Sequence, residues 1–172
     1  MDERVSVAHN LATTWHAGEL RKYTGTPYIV HPEAVARLIG TVPHTWQMLA
    51  AALLHDVLEV DERLCAERRL IILDQLGCEV LDLVLEVTNP SKRSDGKRPI
   101  RKAIDRAHLA KASPAAQTLR IADGIDNLES LASRDPAFAK TYALEKSLII
   151  PLTVQGDAVL HARFVAAVAK IL

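Results

Sequence analysis

Six polar residues interrupt the apolar helical patterns of this sequence, and they include side chains of types that bind metal ions: His31, His55, Asp56, Glu59, Asp123 and Asn127. His55 and Asp56 end the apolar run AALLHD, His31 lies in YIVHP, and Asp123 lies in LRIADGIDNL. Two imidazoles and two carboxylates could bind one divalent cation and leave positions for water and a substrate oxygen. Nitrogen and oxygen donors without thiolate favour Mn²⁺ or Fe²⁺, with Zn²⁺ as a further option. Taken singly, each residue is also explained as a helix cap or as a satisfied core side chain.

Helices must position these residues, because apolar residues recur at spacings of three and four along nearly the whole chain. Alternation with a period of two is nearly absent. The sequence therefore predicts an all-α fold, a helical bundle of about eight or nine helices in a single domain covering residues 1–172. The helices are expected at about residues 3–17, 31–40, 45–58, 62–76, 79–87, 100–111, 114–133, 136–149 and 157–172.

The composition argues against several classes of partner. The chain has 21 basic and 21 acidic residues, so neither a nucleic-acid partner nor a membrane surface is expected. No apolar run reaches the roughly 18 to 20 residues that span a bilayer. Cys65 and Cys78 lack CxxC spacing and are interpreted as buried thiols in a reducing compartment, which indicates a cytoplasmic protein. The oligomeric state is not indicated.

Three segments, in order, resemble the HD-domain hydrolases of the RelA/SpoT alarmone type, and within them the small alarmone hydrolases that include the metazoan SpoT homologue. The segments are HAGELRKYTGTPYIVHPEAVARLI, AALLHDVLEV and ASPAAQTLRIADGIDNLESL, spread over about residues 9–132. The resemblance implies an HD-domain fold with metal ligands at His31, His55, Asp56 and Asp123. It also implies metal-dependent hydrolysis of guanosine 3′,5′-bis(diphosphate), a small-molecule nucleotide substrate, to GDP and pyrophosphate.

The same resemblance implies roles for further residues. Glu59 matches the glutamate of the family's HDxxE motif, which orients or deprotonates the attacking water. Basic side chains are expected to contact the nucleotide base and phosphates, and polar residues of later helices are expected near the substrate. These substrate-binding candidates are Arg21, Lys22, Lys97, Arg101, Asn127 and Tyr142.

Two departures from the family pattern leave the substrate open. The family reads HDxxED, whereas this chain reads HDVLEV, with Val60 at the second acid and Asp61 one residue later as a candidate catalytic replacement. Gly124 replaces a basic residue inside a helix at a cost of roughly 1 kcal/mol relative to alanine, which close packing or substrate approach would explain. Three interpretations remain: an alarmone hydrolase, an HD phosphohydrolase for another nucleotide (an adenosine alarmone, NADPH or a nucleoside phosphate), and a nucleotide-binding regulator without catalysis.

Overall fold

The computed structural model describes residues 2–172, and its regular secondary structure is helical. This described part of the chain forms nine α-helices: α1 (Glu3–Trp15), α2 (Val30–Ile39), α3 (Trp46–Leu54), α4 (Glu62–Leu76), α5 (Cys78–Val87), α6 (Arg98–Leu109), α7 (Pro114–Arg134), α8 (Pro136–Ser147) and α9 (Ala158–Ile171). Short 3₁₀ helices cover Arg93–Asp95 and Ile150–Leu152. Among residues 2–172 the sole β feature is an isolated antiparallel bridge between Leu20 and Pro27. The predicted all-α fold and its helix number are confirmed.

Contacts group the chain into two compact units, Met1–Thr88 and Asn89–Leu172. In the first unit α3 is the central helix and packs against α1, α2 and α5. Its residues Ala50, Ala51 and Leu54 are fully buried, as expected for a helix that is apolar on most sides. In the second unit α7 packs against both α8 and α9. The single domain over residues 1–172 stays a prediction.

Capping residues explain why several predicted helices begin where they do. The side chain of Ser113 accepts a hydrogen bond from the backbone N–H of Ala116, with Pro114 at the first helical position of α7. Asp157 likewise caps α9, and Asp61 caps α4 by accepting from the N–H groups of Arg63 and Leu64. These side chains satisfy N–H groups that have no partner inside the helix.

The end of α3 differs from the prediction. The helix ends at Leu54, and residues 55–60 form a turn followed by a bend. In this segment the Val57 N–H donates to the Leu54 carbonyl and the Glu59 N–H donates to the Asp56 carbonyl. The guanidinium of Arg68 in α4 donates to the Val57 carbonyl at 2.6 Å. Glu59 and Asp56 therefore do not share a face of a continuous helix, and the expectation of a helix over 45–58 is wrong at its end.

The exposure of the two cysteines also differs from the prediction. Both cysteines are free, but Cys65 is half-buried and Cys78 is exposed, so the expectation of two buried thiols is wrong. Cys78 opens α5 directly after Gly77, where its side chain faces solvent instead of the core.

Within residues 2–172, the helices lack the combination of length and apolarity that crossing a membrane requires.

Candidate metal centre

The first unit brings three of the predicted metal ligands together. His31 lies in the first turn of α2, and His55 and Asp56 follow the last residue of α3. The Oδ2 atom of Asp56 lies 3.1 Å from Nε2 of His55 and 3.7 Å from Nε2 of His31. Both imidazoles are buried, with residue exposures of 2% and 3%, and their ring centroids are 5.0 Å apart. Two imidazoles and one carboxylate thus form a His/His/Asp cluster.

The hydrogen bond of His55 determines which of its nitrogens faces this cluster. Its Nδ1 lies 2.8 Å from the carbonyl oxygen of Ala52, and because a carbonyl only accepts, Nδ1 carries the proton. In the neutral form of the ring, Nε2 then carries the lone pair, and this atom lies on the side of Asp56. This is the arrangement commonly found in metal-binding histidines, whose second nitrogen donates to a carbonyl or carboxylate. The cluster therefore fits a divalent cation.

Tyr28 is a member of this cluster that the sequence reasoning missed. Its hydroxyl donates to Oδ2 of Asp56 at 2.6 Å, and its ring meets His31 edge to face with centroids 5.9 Å apart. Tyr28 precedes His31 by three residues in the segment YIVHP. That spacing was the available signal, but the contact with Asp56 depends on how the loop before α2 folds.

In the second unit, the predicted ligand Asp123 lies in α7 and is buried, at 7% exposure. The amide of Asn127 donates to its Oδ1 at 2.5 Å, which places these two predicted site residues in contact. Two cations flank its Oδ2, since Nη1 of Arg120 and Nζ of Lys146 each lie at 3.5 Å. Sequence reasoning missed both cations, and Lys146 comes from a different helix, α8.

Lys146 is a buried cation with a perturbed pKa. Burial lowers the pKa of Lys146 to about 8, and the attraction of Asp123 only partly opposes this effect. Its ammonium also lies 4.9 Å from the centroid of the Tyr142 ring, one turn earlier in α8. The predicted substrate residue Tyr142 therefore contacts the same lysine that lies beside Asp123.

The remaining predicted residues lie in more open positions. Glu59 is exposed in the turn after α3, and Asp61 is exposed and caps α4. Lys22 is exposed and Arg21 is half-buried in the loop between α1 and α2. Lys97 is an exposed residue at the start of α6, and Arg101 is half-buried in its first turn. The catalytic and substrate-binding roles of these residues stay predictions.

Close packing explains Gly124. A Cβ atom at this position would lie 2.6 Å from Cε2 of Phe164, which is fully buried in α9. Any side chain at 124 would therefore force α7 and α9 apart or displace the Phe164 ring. Of the two explanations that the sequence left open, packing against Phe164 accounts for the glycine.

The chain belongs to the HD-domain family, whose pattern matches residues 8–150. The RelA/SpoT resemblance is also confirmed by relatives. The guanosine-3′,5′-bis(diphosphate) 3′-pyrophosphohydrolase of Aquifex aeolicus is 34% identical over 133 residues, which cover 75% of this chain and 18% of that protein. A GTP pyrophosphokinase of Streptomyces coelicolor is 30% identical over 129 residues, covering 74% of this chain and 15% of that protein. This chain thus spans less than a fifth of the length of these curated relatives.

A solved structure supports the fold over nearly the whole chain. It is that of a metazoan SpoT ortholog that hydrolyses ppGpp and plays a role in starvation responses, with a TM-score of 0.85 and 23% identity. The alignment covers 99% of this chain and 96% of that protein. The HD-domain fold expected from the motifs is therefore confirmed.

Proposed function

We propose that this chain is a metal-dependent phosphohydrolase that converts guanosine 3′,5′-bis(diphosphate) to GDP and pyrophosphate. The observation that carries the proposal is the buried cluster of His31, His55 and Asp56, in which His55 presents Nε2 beside a carboxylate. Relatives named for this hydrolysis are 34% and 28% identical to this chain over about three-quarters of its length. A cluster of this kind in a family of hydrolases supports chemistry at the site.

The proposed metal ligands are His31, His55, Asp56 and Asp123, and the proposed ion is Mn²⁺, with Fe²⁺ or Zn²⁺ as alternatives. The order of the motifs in the sequence and the buried carboxylate of Asp123 support the fourth ligand. A family match over residues 8–150 includes parts of both compact units, which supports one HD domain. When bound, a divalent ion lowers the pKa of water and polarises a phosphoryl oxygen.

The chain itself would supply proton transfer and substrate binding. The exposed carboxylate of Glu59 is proposed to orient the attacking water or to accept its proton. Asn127 fixes the orientation of Asp123 through its amide. Positive charge at the polyphosphate would come from exposed and half-buried basic residues, which pair well with phosphate oxygens. We propose that the nucleotide is held by Arg21, Lys22, Lys97, Arg101, Asn127 and Tyr142.

One observation favours a second substrate class. Val60 replaces the second acid of the family motif, and the carboxylate of the neighbouring Asp61 already accepts two backbone hydrogen bonds at the start of α4. A site that lacks this acid would suit a nucleotide with a different arrangement of phosphates. The second candidate function is therefore hydrolysis of an adenosine alarmone, NADPH or a nucleoside phosphate by the same metal centre.

Product analysis tests both candidates. Mn²⁺-loaded protein is incubated with guanosine 3′,5′-bis(diphosphate) and, separately, with the adenine and nicotinamide nucleotides, and metal-stripped protein serves as the control. We expect GDP and pyrophosphate, and we expect Asp56→Ala to abolish their release. Asp74→Ala, at an exposed carboxylate of α4, is the matched control and should keep full activity. Turnover of another nucleotide alone would favour the second candidate, and silence with every substrate would refute both.

A further inference from the structure

His16 is a buried polar residue of the first unit that the proposed reaction does not use. It follows α1 as its C-terminal cap, and its side chain is 5% exposed. Its Nδ1 lies 2.8 Å from Oε2 of Glu19, whose own side chain is about half exposed at 51%. The hydrogen bond to this carboxylate fixes the rotation of a ring that has little room to move.

The ring of His16 lies against Tyr28. The two ring centroids are 4.7 Å apart and the planes are inclined by 36°. The hydroxyl of Tyr28 in turn donates to Oδ2 of Asp56 at 2.6 Å. A continuous series of contacts therefore connects the exposed Glu19 carboxylate, through two aromatic rings, to a carboxylate of the candidate metal centre.

The backbone of the same loop holds these residues in place. The N–H of Tyr28 donates to the carbonyl of Glu19 at 2.9 Å, and the N–H of His31 donates to the carbonyl of Tyr28 at 3.0 Å. The antiparallel bridge between Leu20 and Pro27 closes the loop formed by residues 21–26. Side-chain and backbone contacts thus fix the position of Tyr28 independently of the turn after α3 that carries Asp56.

We propose that His16 and Glu19 form a positioning pair that holds Tyr28, and through its hydroxyl Asp56, in the orientation that binds the metal. The inference rests on the proposed metal centre and deepens it by naming the residues behind a ligand. Asp56 can turn about two side-chain bonds, and the hydrogen bond donated by the Tyr28 hydroxyl favours one of its orientations. Losing such a partner behind a ligand typically weakens metal affinity by about 10- to 100-fold.

The test measures metal affinity, not turnover, on the full chain. Metal-stripped protein is titrated with Mn²⁺ in competition with a fluorescent chelator, and circular dichroism confirms that each variant is folded. We expect Tyr28→Phe to weaken Mn²⁺ binding by about 10-fold or more, and Glu19→Ala to weaken it by a smaller factor. Tyr23→Phe, a half-buried tyrosine of the same loop, is the matched control and should bind as the unmodified protein does.

A double-mutant cycle distinguishes positioning from general loosening of the loop. Since Glu19 is inferred to act through the Tyr28 hydroxyl, Glu19→Ala should have no further effect on Mn²⁺ affinity once Tyr28 is phenylalanine. Additive effects, or single variants within twofold of the unmodified protein, would overturn the inference and leave the proposed function intact. Absence of Mn²⁺ binding to the unmodified protein would overturn the metal centre itself and the inference with it.

Discussion

Replacing Lys146 with methionine should stabilise the metal-free protein at neutral pH. The lysine is buried in α8, and burial lowers its pKa from 10.5 to about 8 even though Asp123 lies 3.5 Å away. Each pKa unit corresponds to about 1.36 kcal/mol, so keeping the charge on Lys146 in the folded state costs about 3 kcal/mol. Methionine has a similar length and no charge. We therefore expect Lys146→Met to raise the free energy of unfolding at pH 7 by up to about 3 kcal/mol.

The stability gain expected from Lys146→Met should change with pH in a defined direction. Between about pH 8 and 10.5 the unfolded chain holds a proton on Lys146 that the folded chain has released. Because unfolding takes up a proton in this window, the unmodified protein gains stability as pH rises. The full cost of keeping Lys146 charged in the folded state applies only below about pH 8. The advantage of Lys146→Met should therefore be largest at pH 7 and decrease toward pH 10.5.

Urea unfolding in the presence of EDTA, at several pH values, measures this difference. Lys140→Met is the matched control, because Lys140 is exposed on the same helix and its replacement should change stability by less than about 0.5 kcal/mol. A Lys146→Met protein that is less stable than the unmodified protein at pH 7 would show that attraction to Asp123 outweighs the cost of burial. The reasoning from burial would then be refuted.

Three further substitutions test the packing of α7 and the roles of two acids. Gly124→Ala should destabilise the protein by about 1 to 3 kcal/mol in urea unfolding, because the added methyl group overlaps Phe164. Adding Phe164→Leu to the same chain should recover part of this loss. An unchanged urea midpoint for Gly124→Ala would contradict the packing explanation. Asp61→Asn should keep the cap and hence stability within about 0.5 kcal/mol. Its steady-state turnover should fall if Asp61 replaces the missing acid, and normal kcat would exclude that role. Asp123→Ala should abolish Mn²⁺ binding in the chelator competition, and retained binding would remove Asp123 from the ligand set.

The sequence predicted the helices best where local chemistry determines their ends. Asp61 marks the start of α4 and Ser113 the start of α7, because a side-chain oxygen there satisfies helix N–H groups. The end of α3 was placed too late because Val57 and Leu58 continue the apolar pattern and are indeed buried. What ends the helix is tertiary, including the hydrogen bond from Arg68 to the Val57 carbonyl, and spacing along the sequence does not reveal it.

The residues of the candidate site were likewise predictable only in part. His31, His55 and Asp56 could be identified because imidazoles and carboxylates on apolar helices are unusual, and the structure brings them together. Tyr28 and Lys146 could not be identified from the sequence, since a tyrosine in a loop and a lysine on a helix are common surface residues. Their importance comes from the residues they meet, and those contacts depend on the packing of distant segments.

The turn after α3 also bears on how such a protein could diverge. Residues 55–60 belong to neither α3 nor α4, and the cap at Asp61 fixes where the next helix begins. Val60 is therefore at a position where an acid can be gained or lost without changing the buried face of any helix. Selection could alter the chemistry beside the ligands through this one residue while the scaffold keeps its stability, so that substrate preference and folding evolve separately.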